Sequence, residues 1–202
     1  MRSRSEIDVV LGEAVERGDI PGVVAMATDR RDVTYQGAFG KRVLGGSVAM
    51  TLDTVFWIHS MTKAITAAAV MQLVEQGRIG LDDDVGRFVP ALAKPRVLAG
   101  FDAKGDPILR PAQRVMTLRH LLTHTAGFVY DTWNERQNAY VQKVRLPRWQ
   151  TFVKPEDCLP LDFEPGARWE YGVSIDWAGK VLEAIMGETL DAYMQANIMR
   201  PL

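Results

Sequence analysis

Cysteine is almost missing from this chain. Cys158 stands alone among 202 residues, so an internal disulfide is excluded, and with no flanking histidine or basic group it is expected to be an incidental thiol. A charge excess of either sign is also missing, since 24 Lys and Arg stand against 25 Asp and Glu. That balance leaves no basic footprint for nucleic acid and no acidic tail. No run approaches the ~18 consecutive apolar residues of a membrane span, so no membrane partner is expected. The opening MRSRSEIDVVLGEAVERGD has arginines but no continuous apolar segment, because Glu6, Asp8, Glu13 and Glu16 interrupt it. The expected location is therefore the cytoplasm. G-x-S-x-G, a Walker A loop, a dinucleotide fingerprint and C-x-x-C are all absent, as are internal repeats and low-complexity tracts. What is present is an ordinary globular composition, 47% hydrophobic and 24% charged. The length suits one core, or a core domain with a small second lobe.

Periodicity gives the coarse order of elements. Ser3 to Gly18 predicts an amphipathic helix with Ile7, Val10, Leu11, Ala14 and Val15 on one face. Val23–Thr28 and Val33–Phe39 predict a β-hairpin turning at DRRD, and LDTVFWIH predicts an extended, mostly buried stretch. Ser60 to Gly77, rich in Ala, Met, Leu and Val, is the strongest helix signal. LDDDVGRFVP predicts a short helix closed by Pro90, and Arg96–Arg110 a hairpin around DAKGD. Thr117 is placed to cap LRHLLTH, Asp131–Val144 predicts a helix, and Lys154–Trp169, with three prolines, predicts mostly loop. A helix starting at Ser174 or Asp176 runs to Gly187, and Thr189 caps a last one. The expected fold class is α+β, with residues 1–59 belonging to a sheet domain and residues 60–202 forming a mainly helical domain. An early hairpin needs further strands, because two strands alone are marginal in water. The chain ends on NIMRPL with no returning strands, so the expectation is an incomplete fold whose C-terminal sheet strands are missing.

One short stretch carries chemistry. FWIHSMTK places Ser60 three residues before Lys63. Ser-x-x-Lys by itself is weak, with roughly one chance match expected at this length, and Ser60 as a plain helix cap is the competing interpretation. On a helix, however, residues i and i+3 share a face, so Lys63 can reach the Ser60 hydroxyl. Ser60 in the first turn sits at the positive end of the helix dipole, where its own N–H can serve an oxyanion. An apolar surround would lower the Lys63 pKa toward that of a useful base. HLLTH sets His120 and His124 at a metal-ligand spacing but lacks the glutamate of H-E-x-x-H and any third ligand. Helix packing and capping are expected there instead, and no metal or cofactor.

Three stretches in order resemble the serine β-lactamase and penicillin-binding-protein superfamily, in its class C and carboxylesterase branch (family VIII esterases). They are VFWIHSMTKAITAAAVMQLVEQGRIGLDDDVGRFVPAL, TLRHLLTHTAGF and FEPGARWEYGVSIDWAGKVLEAIMG. The resemblance implies Ser60 as nucleophile, Lys63 as its activating partner and Tyr171 as the proton shuttle. The family's Tyr-x-Asn reads Tyr171-Gly172-Val173 here. Valine cannot make the asparagine's hydrogen bond to a lactam amide, which favours ester over lactam chemistry. Asp176 matches an acidic position of the esterase branch, or is simply a first-turn helix carboxylate. Phe128, Tyr130 and Trp133, with Val173 and Asp176, are candidates to line a substrate pocket, and core packing is the alternative for the three aromatics. The third family motif and its oxyanion donor lie on a strand this sequence does not reach.

The expected activity is therefore hydrolysis of small, short-chain esters through an acyl-serine intermediate. The alternatives are a D-amino-acid peptidase or weak β-lactamase using the same residues, and a catalytically incomplete domain that self-associates. The expected partners are a small-molecule ester and a second copy of the chain, through dimerisation or a domain swap at the incomplete sheet.

Overall fold

The structure is a computed structural model that describes residues 4–146 and 159–202. Cys158 and the first part of the predicted Lys154–Trp169 loop lie outside the described residues. The chain divides into two compact units, Met1–Ile58 and His59–Leu202.

In the first unit, α1 (Arg4–Glu16) is followed by the antiparallel strands β1 (Gly22–Thr28) and β2 (Val33–Gly40). Their register runs from Gly22 opposite Gly40 to Ala27 opposite Tyr35, with an irregularity after Ala27. The DRRD turn forms because Asp29 Oδ1 accepts from the backbone N–H groups of Arg31 at 2.7 Å and Asp32 at 2.9 Å. Ile7, Leu11, Ala14 and Val15 form the half-buried side of α1, while Val10 of the predicted face is exposed. Tyr35 is buried and donates its hydroxyl to Asp8 Oδ1 at 2.8 Å, tying β2 to α1. The expectation of a buried LDTVFWIH is corrected. Val55 is 93% and Trp57 85% exposed, and Phe56 is also exposed. Apolar sequence supplies the tendency to bury, but burial also needs an opposing surface. Among the described residues this stretch belongs to no strand.

In the second unit the core is built around α2 (Thr62–Glu75) and α5 (Ser174–Met186), which pack on each other. Thr66, Ala69, Val70 and Leu73 are the buried positions of α2, the i, i+3, i+4, i+7 stripe of an amphipathic helix. Ala69, Val70 and Leu73 share one core cluster with Ala178, Val181 and Leu182 of α5, Leu118 and Leu121 of α3 (Leu118–Leu122), and Tyr193 of α6 (Leu190–Met194). Complete burial of each Leu or Val in this cluster stabilises by about 1.5–3 kcal/mol. Gly187 ends α5 in the left-handed conformation, as a C-terminal glycine should.

Between α2 and α3 the chain makes two 3₁₀ turns, Val85–Arg87 and Pro90–Leu92, and the hairpin of β3 (Arg96–Phe101) with β4 (Pro107–Pro111). Pro90 opens the second turn rather than closing a helix, since a missing N–H costs nothing at a first helical position. Asp131–Val144 is helical only as α4 (Glu135–Val144), because Asn134 caps it by accepting from the Gln137 N–H at 2.9 Å. Within the predicted Lys154–Trp169 loop, the described residues 159–169 form no helix or strand. They are nevertheless tightly held. Leu161 exchanges backbone hydrogen bonds with Arg96 and Leu98 at 2.8 Å each, and Asp162 N–H donates to Gly127 at 2.8 Å. The buried Asp162 carboxylate pairs with Arg136 and Arg168, and Arg110 pairs with Glu164. This anchoring fixes the backbone that leads to Tyr171.

Candidate active site

His59–Met61 forms a 3₁₀ turn leading into α2, and His59 holds φ at +46°. A non-glycine residue in that region is uncommon, and the strain falls on the residue just before Ser60. Ser60 does not cap α2. The N-cap position is Met61, with no side-chain capping bond. The Ser60 Oγ instead accepts from the Tyr171 hydroxyl at 2.8 Å and from Lys63 Nζ at 3.3 Å. The hydroxyl is thus committed to two functional groups rather than to helix termination, which answers the competing interpretation of Ser-x-x-Lys.

Lys63 occupies the first turn of α2 and donates also to the Tyr130 hydroxyl at 3.3 Å. Its Nζ lies 5.4 Å from the Tyr171 ring centre and 5.9 Å from that of Tyr130, within cation–π range. The expected depression of the Lys63 pKa is corrected. Partial burial does push it down, and is the largest single influence. Hydrogen bonding to Tyr130, the negative charge of Asp176 and a hydrogen bond to Tyr171 together outweigh it, so the net direction is upward. Lys63 is therefore an ammonium at neutral pH, a fixed positive charge rather than a ready base.

Asp176, in the first turn of α5, is in electrostatic contact with Lys63. Its residue surface is open, yet crowding by the surrounding chain desolvates the carboxyl and raises its pKa, with Lys63 opposing. Burial likewise raises the Tyr130 phenol, against the pull of Lys63. Trp133 is exposed, stacks on Tyr171 with ring centres 6.0 Å apart, and meets Tyr130 edge-on at 5.3 Å. Tyr130, Trp133 and Asp176 thus gather around Ser60, Lys63 and Tyr171.

Phe128 and Val173 do not join them. Phe128 is buried and stacked on Trp177, and Val173 is buried in the same core cluster. The turn into α5 directs Val173 inward, and Phe128, in the stretch after α3, packs against Trp177. Gly172, between Tyr171 and Val173, shows how closely that turn is packed. A Cβ there would meet the Phe128 carbonyl oxygen at 2.4 Å and Val129 Cα at 2.6 Å.

The two histidines have structural partners. His120 completes a capping box, its Nδ1 accepting from the Thr117 N–H at 3.2 Å while Thr117 accepts from the His120 N–H at 3.3 Å. His124 packs on Tyr171 with ring centres 4.8 Å apart. Among the described residues, no group of three or more His, Cys, Asp or Glu could hold a metal ion. No helix of the described residues is long and apolar enough to cross a membrane. The sequence assigned Tyr130 only to a pocket wall; its bond to Lys63 spans 67 positions and left no local signal.

The chain is similar to known proteins over nearly its whole length. Residues 7–202 match the family described as beta-lactamase. The ML-236A carboxylate methylbutanoyltransferase of Penicillium citrinum is 36% identical, covering 98% of this chain and 49% of that protein. The lovastatin esterase of Penicillium rubens is 37% identical, covering 97% of this chain and 50% of that protein. Among solved structures, the unliganded simvastatin synthase LovD of Aspergillus terreus superposes with TM-score 0.87 at 33% identity, over 98% of this chain and 52% of that one. EstCE1, a hydrolase with promiscuous acyltransferase activity, gives TM-score 0.76 at 26% identity, over 98% and 50%. The chain spans about half the length of the curated relatives it matches.

Proposed function

The chain belongs to the beta-lactamase family, and on that footing we propose that it is an acyl-transfer enzyme, a carboxylic ester hydrolase working through an acyl-enzyme on Ser60. The observation that carries this reading is the Ser60 Oγ held at once by Tyr171 at 2.8 Å and Lys63 at 3.3 Å. A serine hydroxyl is a weak nucleophile until an adjacent group takes its proton. The Tyr171 oxygen is the nearer neighbour. The resting phenol donates to Ser60, so the bond must reverse for attack: the Tyr171 O–H turns to the leaving oxygen of the ester and gives up its proton there as the Ser60 proton passes to the Tyr171 oxygen. The Lys63 ammonium stabilises the negative charge on whichever oxygen holds it during that transfer. Ser60 Oγ then bonds to the acyl carbon and the alcohol departs with the proton from Tyr171. Water, or an alcohol acceptor, enters by the reverse sequence and releases the acyl group. The Ser60 N–H, at the start of the helix, supplies one oxyanion donor.

The exposed Trp133 indole beside Tyr130 and Tyr171 offers an open aromatic shelf rather than a deep cavity, which suits small, short-chain esters. Two relatives, a methylbutanoyltransferase and a lovastatin esterase, support ester hydrolysis or acyl transfer as the chemistry. Self-association also belongs to this reading. The first unit has a two-stranded sheet and exposes Val43, Leu44, Val55 and Trp57. A second copy is the proposed occupant of that surface, and a monodisperse monomer in light scattering would remove it.

The test is hydrolysis of a short-chain p-nitrophenyl ester by the purified chain with Ser60→Ala in parallel. Turnover by the wild type and none by the variant is expected. Equal turnover by both would rule Ser60 out.

A further inference from the structure

The second histidine of HLLTH has no part in the chemistry above, yet it touches the tyrosine that does. His124 follows α3 with φ at +55°, a conformation in which glycine is the usual residue. There it does three things at once. Its carbonyl oxygen accepts from the Glu170 N–H at 3.0 Å. Its Nδ1 accepts from the Gly172 N–H in a long bond of 3.5 Å. Its ring packs against the Tyr171 ring, tilted 45° with centres 4.8 Å apart. The residues before and after Tyr171 are thus both bonded to one histidine, and the tyrosine lies against its imidazole.

We propose that His124 is a positioning residue, which sets the Tyr171 phenol against Ser60 by holding the chain on both sides of the tyrosine and backing its ring. This rests on the assignment of Tyr171 as the proton shuttle. The left-handed backbone aims the carbonyl and the ring at the same short segment, which a residue in ordinary helical conformation would not do. The Nδ1 lone pair is required, so the ring must be neutral, with its proton on Nε2. Burial first, and then the Lys63 charge, hold its pKa below the usual histidine value. The titratable groups around it are Tyr171 in ring contact and Lys63 across the site, with Asp176 facing Lys63 in turn. In acid, protonation of Nδ1 would replace the bond to Gly172 with two opposed N–H groups.

His124→Ala, His124→Asn and Tyr171→Phe test this, with p-nitrophenyl acetate turnover measured across pH. Asparagine tolerates the left-handed backbone and places Oδ1 where Nδ1 stood. His124→Ala is expected to lower kcat by about 10²-fold, the scale of a small misplacement of a reacting group, with KM little changed. His124→Asn should recover most of that loss and lack the acid limb of the wild type. Wild-type turnover by His124→Ala, with Tyr171→Phe impaired, overturns the proposal alone. Wild-type turnover by Tyr171→Phe overturns the tyrosine's role and this proposal with it. Nitrogen-15 NMR of the histidines gives a readout independent of turnover. An unprotonated His124 Nδ1 at pH 7 is expected, and a protonated one overturns the proposal.

Discussion

Replacing Lys63 with methionine removes the ammonium and keeps much of the side-chain volume. The structure sets the size of the effect. At the observed 3.3 Å from Ser60 Oγ, a unit charge on that oxygen would interact by about 5 kcal/mol at an effective dielectric of ~20 and by about 1.3 kcal/mol in bulk water. Ser60 is exposed and Lys63 half-buried, so solvent screens the pair to an intermediate value. About 3 kcal/mol corresponds to roughly 10²-fold in rate. The assay is the rate of Ser60 labelling by a small fluorophosphonate, followed by intact mass. It reads nucleophile activation directly and needs no deacylation. The pH dependence separates a fixed charge from a neutral lysine base. The Lys63 pKa is raised above 10.5, so its charge and the stability it contributes are complete below the unfolded value and vanish as pH rises through the folded one. Labelling by the wild type should therefore show no lysine titration between pH 6 and 9, and should lose the Lys63 contribution only in strong alkali. A loss smaller than threefold in Lys63→Met, or a Lys63 resonance titrating near neutral pH, would refute the reasoning.

Three further outcomes follow from the same geometry. Asp176→Asn should raise the thermal midpoint at pH 7, because a carboxyl with a raised pKa is destabilising once charged; its contribution to stability is present below 3.8 and lost as pH rises through the folded value. That gain should vanish in acid, and a midpoint that falls equally at both pH values would contradict the assignment. Leu182→Ala, in the fully buried core of α5, should cost about 2–5 kcal/mol in denaturant unfolding, and a loss under 1 kcal/mol would mean that the site relaxes freely. Gly172→Ala should lower the thermal midpoint and slow Ser60 labelling together, because the new methyl must displace the Phe128 carbonyl at 2.4 Å; an unaffected labelling rate would show that Tyr171 tolerates the shift.

The local grammar of this chain was legible. Asp29, Thr117 and Thr189 cap or turn through side-chain oxygens at short range, and such signals need no tertiary context. The α2 helix and the β1–β2 hairpin are legible for the same reason, from composition and turn residues close in sequence. What escaped depends on partners distant in sequence. LDTVFWIH has the composition of a buried strand and is exposed, since hydrophobicity does not name the surface that would cover it. Phe128 and Val173 lie beside motif residues in sequence, but both side chains pack into the core. The charge state of Lys63 was misjudged because its apolar neighbours in sequence are visible, whereas Tyr130 and Asp176 arrive from 67 and 113 positions away. Ser60, Lys63 and Tyr171 came from motif resemblance, and their mutual distances required the fold.

The most direct measurement is the site of covalent acylation. The purified chain, incubated with a short-chain p-nitrophenyl ester and quenched in acid, is digested and its peptides are sequenced by mass spectrometry. An acyl group on Ser60, absent from Ser60→Ala and reduced in Tyr171→Phe, is the predicted result. Acylation on another residue, or an adduct on Ser60 formed equally well without Tyr171, would contradict it.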